Sequence, residues 1–155
     1  MGIPMRDAIA REALSWIGTP YKKNCWLKGR GADCAMMAQE VFINVGLIKE
    51  RFSVADLDTD WMVHGTRELL LEKIQKVVND NSLLKAQFLE PEAAMPLQVG
   101  DILMFSLFKT RLAHHVSIFV GDDTMVHCVS HGVMKQQLNH MWIKRMTKVL
   151  RWELK

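Results

Sequence analysis

The hydrophobic pattern of this chain changes its period at the stretch "EPEAAMPLQVGD", which carries two prolines and a glycine. Before that break, apolar residues recur every three or four positions, as on one face of a helix. After it, segments such as "HHVSIFV" and "TMVHCV" read as strands with a period of two, and "GDD" reads as the turn between them. Helices followed by antiparallel strands predict an α+β domain.

Two helices are predicted before residue 50, and a third in the more charged middle of the chain. The second begins within "GRGADCAMMAQEVF", where Asp33 is a natural N-cap. Each helix is indicated by apolar residues at helical spacing, and the first two are followed by a glycine that can end the helix. The residues are Met5, Ile9, Ala13 and Trp16 before Gly18; Cys34, Met37, Val41 and Val45 before Gly46; and Leu70, Ile74, Val77 and Val78.

The strand segments bring two histidines together. If the hairpin turns about Gly121, His115 and His127 lie equally far from the turn and directly opposite each other. One imidazole can then accept a proton while the other orients it through its second ring nitrogen.

Cys34 stands at the start of the second helix, where free backbone N–H groups and the positive end of the dipole favour a thiolate. Paired with a histidine, such a cysteine can attack an amide carbonyl, and the helix N–H groups can hold the oxyanion. Two alternatives are an inert core cysteine and a zinc site. Zinc is disfavoured because no second cysteine lies at finger spacing, so no metal and no cofactor are expected.

Four segments in order, "WIGTPY", "GRGADCA", "PLQVGDILMF" and "HHVSIFVGDDTMVHC", resemble the NlpC/P60 family of cell-wall cysteine peptidases. The resemblance implies a papain-like α+β fold, in which N-terminal helices pack on a C-terminal antiparallel sheet. It implies Cys34 as the nucleophile, His115 as the base and His127 as the orienting third member. It also implies Tyr21 as a hydroxyl donor near the oxyanion, and Asp33 as a cap that touches substrate.

Several segments depart from the family pattern. "ADCAMM" replaces the usual small pair after the cysteine, "KKNCWLK" stands where two glycines are common, and Val99 replaces the turn proline. Residues 50–95 resemble a family-variable helical insertion within a single domain spanning 1–155. Because these loops line the substrate groove in the family, the departures bear on substrate choice.

The activity implied is hydrolysis of an amide in the peptidoglycan stem peptide, often between D-glutamate and the diamino acid. The stretch "WIGTPY…LKGRGADC" resembles members carried on phage or gene-transfer-agent tails, which implies tail proteins as partners. Alternatives are a cytosolic amidase or acyltransferase on the same fold, and a structural tail component without activity.

Composition bounds the partners and the place of action. With 49% hydrophobic residues and a net charge of +3, the chain is neither disordered nor basic enough to predict nucleic-acid binding. Three cysteines without metal-type pairing do not form a disulfide framework. We expect synthesis in the cytoplasm without a signal peptide and no membrane insertion. The family resemblance implies action at the cell wall or periplasm, and its tail-carried members suggest a virion as one carrier.

Overall fold

The computed structural model describes residues 2–154. Helices in this range are α1 (Ile3–Leu14), α2 (Cys34–Asn44), α3 (Thr59–His64), α4 (Leu69–Asp80), α5 (Pro91–Ala94) and α6 (His140–Arg145). Strands are β1 (Trp26–Leu27), β2 (Gly31–Ala32), β3 (Leu84–Leu89), β4 (Ile102–Phe105), β5 (His115–Gly121), β6 (Thr124–Val129), β7 (Gly132–Gln137) and β8 (Met146–Leu154). No helix in this range is long and apolar enough to cross a membrane.

The C-terminal strands form one antiparallel sheet with the order β3-β8-β4-β5-β6-β7. A separate hairpin, β1-β2, precedes the nucleophile helix. Helix α2 packs on β5 and β6, and α1 packs on α2 and β5. The predicted α+β class, with N-terminal helices on an antiparallel sheet, is therefore confirmed.

Alternation along β5 divides the apolar interior into two clusters. Val116 and Ile118 belong to the larger cluster beneath α2, whereas Phe119 belongs to a smaller cluster on the other side of the sheet. His115, the first residue of β5, shares the parity of Phe119 and stands at the end of the strand.

The β5-β6 hairpin corrects the predicted register. Ile118 pairs with Val126 and Phe119 with Met125, so His127 and His115 occupy diagonal rather than directly opposite positions. The physical reason is the turn: Asp122 and Asp123 both have positive φ, which makes them the central residues of the loop. A shift by two residues preserves the face of every side chain, so the histidine contact survives the error.

Residues 50–95, which we expected to form a helical insertion, also contain a strand. Helices α3 and α4 fit the expectation, and α4 buries Leu70, Ile74 and Val78. Strand β3, however, pairs with β8 and forms one edge of the central sheet. Its solvent-facing Lys85 and Gln87 hide the strand pattern, since an edge strand packs only part of its surface.

Candidate active site

One cavity of about 500 Å³ is lined by most of the residues that the sequence singles out. We divide its lining into two named groups. The polar wall comprises Tyr21, Lys23, Asn24, Asp33, Cys34, His115 and Cys128, and the apolar wall comprises Val54, Leu57, Met62 and Leu70. His114 and Trp142 also line the cavity, whereas His127 lies behind His115 and does not.

Cys34 is the first residue of α2, as predicted. Asp33 caps the helix: its Oδ1 accepts from the backbone N–H of Met36 at 2.9 Å. Its Oδ2 accepts from the N–H of Asn24 at 2.7 Å, which ties the preceding loop to the helix start. Asp33 is thus a structural cap that lines the cavity, and its contact with substrate stays a prediction.

The two predicted histidines are in direct contact. His115 Nε2 and His127 Nδ1 lie 2.8 Å apart, and both residues are buried. This contact leaves Nδ1 of His115 as the ring nitrogen available to another group. Among residues 2–154, the Cys34 thiol forms no hydrogen bond to either imidazole, so a direct proton-transfer distance stays a prediction.

Aromatic rings enclose the imidazole pair. Trp142 lies 5.9 Å from His115 and 5.1 Å from His127, measured between ring centroids. Phe105 packs 6.2 Å from His115 and 5.1 Å from Trp142. The pair is consequently held in apolar surroundings, which disfavour a charged ring.

Burial favours the neutral forms of the resting site, contrary to the expectation that the helix terminus favours a thiolate at Cys34. Burial, followed by the nearby Asp33 carboxylate, raises the pKa of the Cys34 thiol to about 12. Burial, reinforced by His127, lowers the pKa of His115 to about 3, and burial alone lowers the pKa of His127 to about 4. Desolvation outweighs the helix dipole here because it penalises every charged form in the site.

The other thiols and Tyr21 have distinct environments. Cys128 is buried and its thiol donates to the carbonyl of Ala32 at 3.1 Å, although it also lines the cavity. Cys25 is half-buried and lies outside the cavity lining. Tyr21 is 47% exposed at the rim, and burial followed by Asp33 raises the pKa of its hydroxyl. Its role as an oxyanion donor stays a prediction.

Two aromatic contributors were not predicted from the sequence. Trp142 belongs to α6, a helix of six residues that is too short to show a hydrophobic period. His114 accepts from the N–H of Leu107 at 3.1 Å and contacts the Thr110 hydroxyl at 3.0 Å, so it organises the loop before β5. The adjacency of His114 to His115 in the sequence was the signal that could have indicated its place in the site. Within residues 2–154, no cluster of three or more His, Cys, Asp or Glu side chains is arranged to hold a metal ion.

Comparison with known proteins places this geometry in a family. Proteins named "Probable endopeptidase" in Mycobacterium tuberculosis and Mycobacterium bovis are 27% identical over 128 residues, covering 83% of this chain. The chain spans only 24% of the length of those relatives.

Solved structures show the same fold. NlpC2 from Trichomonas vaginalis superposes with a TM-score of 0.65 at 19% identity, covering 99% of this chain and 48% of that one. The NlpC/p60 domain of the peptidoglycan hydrolase SagA superposes with a TM-score of 0.57 at 18% identity, covering 94% of this chain and 97% of that one. The sequence profile of the NlpC/P60 family matches residues 16–151. The chain therefore belongs to the NlpC/P60 family.

Proposed function

We propose that this chain is a cysteine endopeptidase that hydrolyses an amide bond in the peptidoglycan stem peptide. The carrying observation is that Cys34, at the start of α2, lines one cavity with His115, whose Nε2 lies 2.8 Å from His127 Nδ1. Family membership and the name "Probable endopeptidase" of the mycobacterial relatives support the reaction class, and the description of SagA as a peptidoglycan hydrolase supports the substrate.

The histidine contact supports one direction of proton movement in this mechanism. His115 can accept the thiol proton at Nδ1 only if its Nε2 carries the ring hydrogen. The Nε2–H group then donates a hydrogen bond to His127 Nδ1. His127 in turn carries its hydrogen on Nε2, a buried atom without a hydrogen-bond partner among the described residues. His127 therefore acts by fixing the ring and tautomer of His115.

Neutral resting groups require that thiol deprotonation accompany attack. As Cys34 Sγ bonds to the amide carbon, its proton passes to His115, and the backbone N–H of Cys34 and the Tyr21 hydroxyl stabilise the oxyanion. Collapse of the intermediate breaks the C–N bond, and the amine leaves with the proton from His115. Water then hydrolyses the thioester, with His115 again as the base.

Purified peptidoglycan tests this proposal. We expect the wild-type protein to release fragments that carry new free amino groups at one stem position, identified by mass spectrometry. Cys34→Ala serves as the matched inactive protein. Fragments cleaved in the glycan, or no fragments from intact sacculi and from isolated stem peptides alike, would contradict the proposal.

We further propose that the protein acts at the cell wall as part of a phage or gene-transfer-agent tail. The support is the resemblance of "WIGTPY…LKGRGADC" to tail-carried members. Mass spectrometry of purified tailed particles from the source should detect this chain at a fixed ratio to the tail proteins. Its presence only in the soluble lysate would contradict tail association and leave the hydrolase proposal untouched.

A further inference from the structure

One cation stands in the polar wall. Lys23 is the only Lys or Arg side chain among the described residues lining the cavity, which it shares with Cys34. The backbone on both sides of it is fixed: Lys22 N–H donates to Ala32 O at 2.9 Å, and Asn24 N–H donates to Asp33 Oδ2 at 2.7 Å. Lys23 therefore projects from an anchored segment beside the nucleophile.

Among residues 2–154, no hydrogen bond or ion pair of the Lys23 side chain accounts for this position. Lys28 is paired with Glu12 at 2.9 Å and Arg51 with Glu40 at 2.8 Å, whereas the adjacent Lys22 is in no ion pair among the described residues. Within residues 2–154, Lys23 forms no ion pair, although its charge is felt by Asp33. Asp33 has its carboxylate oxygens satisfied by backbone N–H groups, so it does not require Lys23 as a hydrogen-bond partner.

We propose that Lys23 is a specificity residue that binds a substrate carboxylate close to the scissile amide. As a statement about the substrate of this enzyme, the inference rests on the proposed function. Lys23 is exposed, so water partly screens such a contact and its expected contribution is modest.

The apolar wall gives the substrate a second contact surface, which fixes its orientation. Val54, Leu57 and Leu70 are buried in the main core and expose only their cavity-facing surface. A carboxylate gains nothing from these side chains, whereas the aliphatic part of a peptide does. The bound substrate is consequently oriented with its carboxylate toward Lys23 and its aliphatic part toward the apolar wall.

Two stem peptides that differ only in carrying a carboxylate or a carboxamide beside the scissile amide test this inference. Binding is measured by calorimetry on Cys34→Ala, which prevents turnover. We expect the carboxylate peptide to bind roughly five- to tenfold more tightly, and Lys23→Gln in the same background to remove this preference. Lys22→Gln is the matched control, because Lys22 is exposed but does not line the cavity, and it should keep the preference. High salt should reduce the preference for the carboxylate peptide, because it screens the charge pair.

The outcomes separate this inference from the proposed function. Equal binding of the two peptides, or a preference that Lys23→Gln leaves unchanged, overturns the carboxylate site even if wild-type protein hydrolyses peptidoglycan. A preference that is lost in Lys23→Gln supports the site even if wild-type protein cleaves neither peptide, and that lack of cleavage counts against the proposed function alone.

Discussion

The polar wall and the apolar wall of the cavity are held in place by different forces. The polar wall is fixed by directional bonds to the backbone, such as those from Asn24 and Met36 to Asp33 and from the Cys128 thiol to Ala32. The apolar wall is fixed by burial: Val54, Leu57 and Leu70 are all part of the main core.

Polar anchors of the apolar wall lie away from the cavity surface. The Gln39 side chain on α2 accepts from Phe52 N–H at 2.7 Å, and the Glu68 carboxylate accepts from Ala113 N–H at 2.8 Å. Packing tolerates side-chain exchange better than a hydrogen-bonded constellation does. The comparison teaches that the proposed reacting groups depend on directional bonds, whereas the apolar part of substrate fit depends on packing.

The largest expected effect comes from removing the reacting groups of the polar wall. Cys34→Ala and His115→Ala should each lower peptidoglycan hydrolysis by at least about 10³-fold, because the proposed mechanism assigns the nucleophile and the base to these two side chains. Thermal unfolding should stay close to that of wild type for Cys34→Ala. Cys25→Ala is the matched control and should keep full activity, since Cys25 lies outside the cavity lining. Loss of activity in Cys128→Ala with retention in Cys34→Ala would show that Cys128, rather than Cys34, is the nucleophile.

A smaller loss is expected from the residue behind the base. His127→Ala should lower kcat by roughly 10- to 100-fold with little change in KM, because His127 orients His115 without contacting substrate. His127→Gln should restore part of the activity, since an amide oxygen can accept from His115 Nε2. His131→Gln, at an exposed turn position, controls for loss of a histidine. A rise in KM at constant kcat would instead place His127 in substrate binding.

The sequence predicted the elements with a strong period and the residues they carry. Helix α2, its Asp33 cap and the histidine-bearing strands follow from apolar spacing and N-cap chemistry, and the structure confirms them. The hairpin register was wrong because Asp122 and Asp123, rather than Gly121, form the turn.

Features that depend on tertiary packing were not predictable from spacing. Trp142 reaches the histidines from a six-residue helix, and β3 is an edge strand with polar outward residues. The protonation state of the site was also misjudged, because burial of Cys34 and His115 arises only when the sheet, α2 and α6 enclose them. Local sequence reports the helix dipole but not this desolvation.

The histidine pair should also make the fold sensitive to acid. The folded-state pKa values of His115 and His127 are about 3 and about 4, below the ordinary value of 6.5. Between each folded-state pKa and 6.5, the unfolded chain therefore binds more protons than the folded protein. The stabilising contribution is complete above about pH 6.5 and is lost as the pH falls toward 4, by at most about 1.4 kcal/mol per pH unit for each imidazole.

Urea unfolding between pH 7.5 and 4 measures this effect. The double variant His115→Gln/His127→Gln should show a shallower loss of unfolding free energy with acid than wild type, whereas His131→Gln should follow wild type. Parallel curves for wild type and the double variant would mean that the pair becomes charged without cost, and the neutral resting site would then be wrong.

The smallest expected effect tests the apolar wall. Met62 is half-buried and lines the cavity, so Met62→Gln replaces an apolar surface by a polar one of similar length. We expect KM for stem peptide to rise roughly three- to tenfold, because about 1 kcal/mol of apolar contact with substrate is lost, while kcat stays within about twofold. Met141→Gln is the matched control, since Met141 is 52% exposed on α6 and does not line the cavity. A fall in kcat at unchanged KM would show that the apolar wall positions the reacting groups, and the division of labour between the two walls would fail.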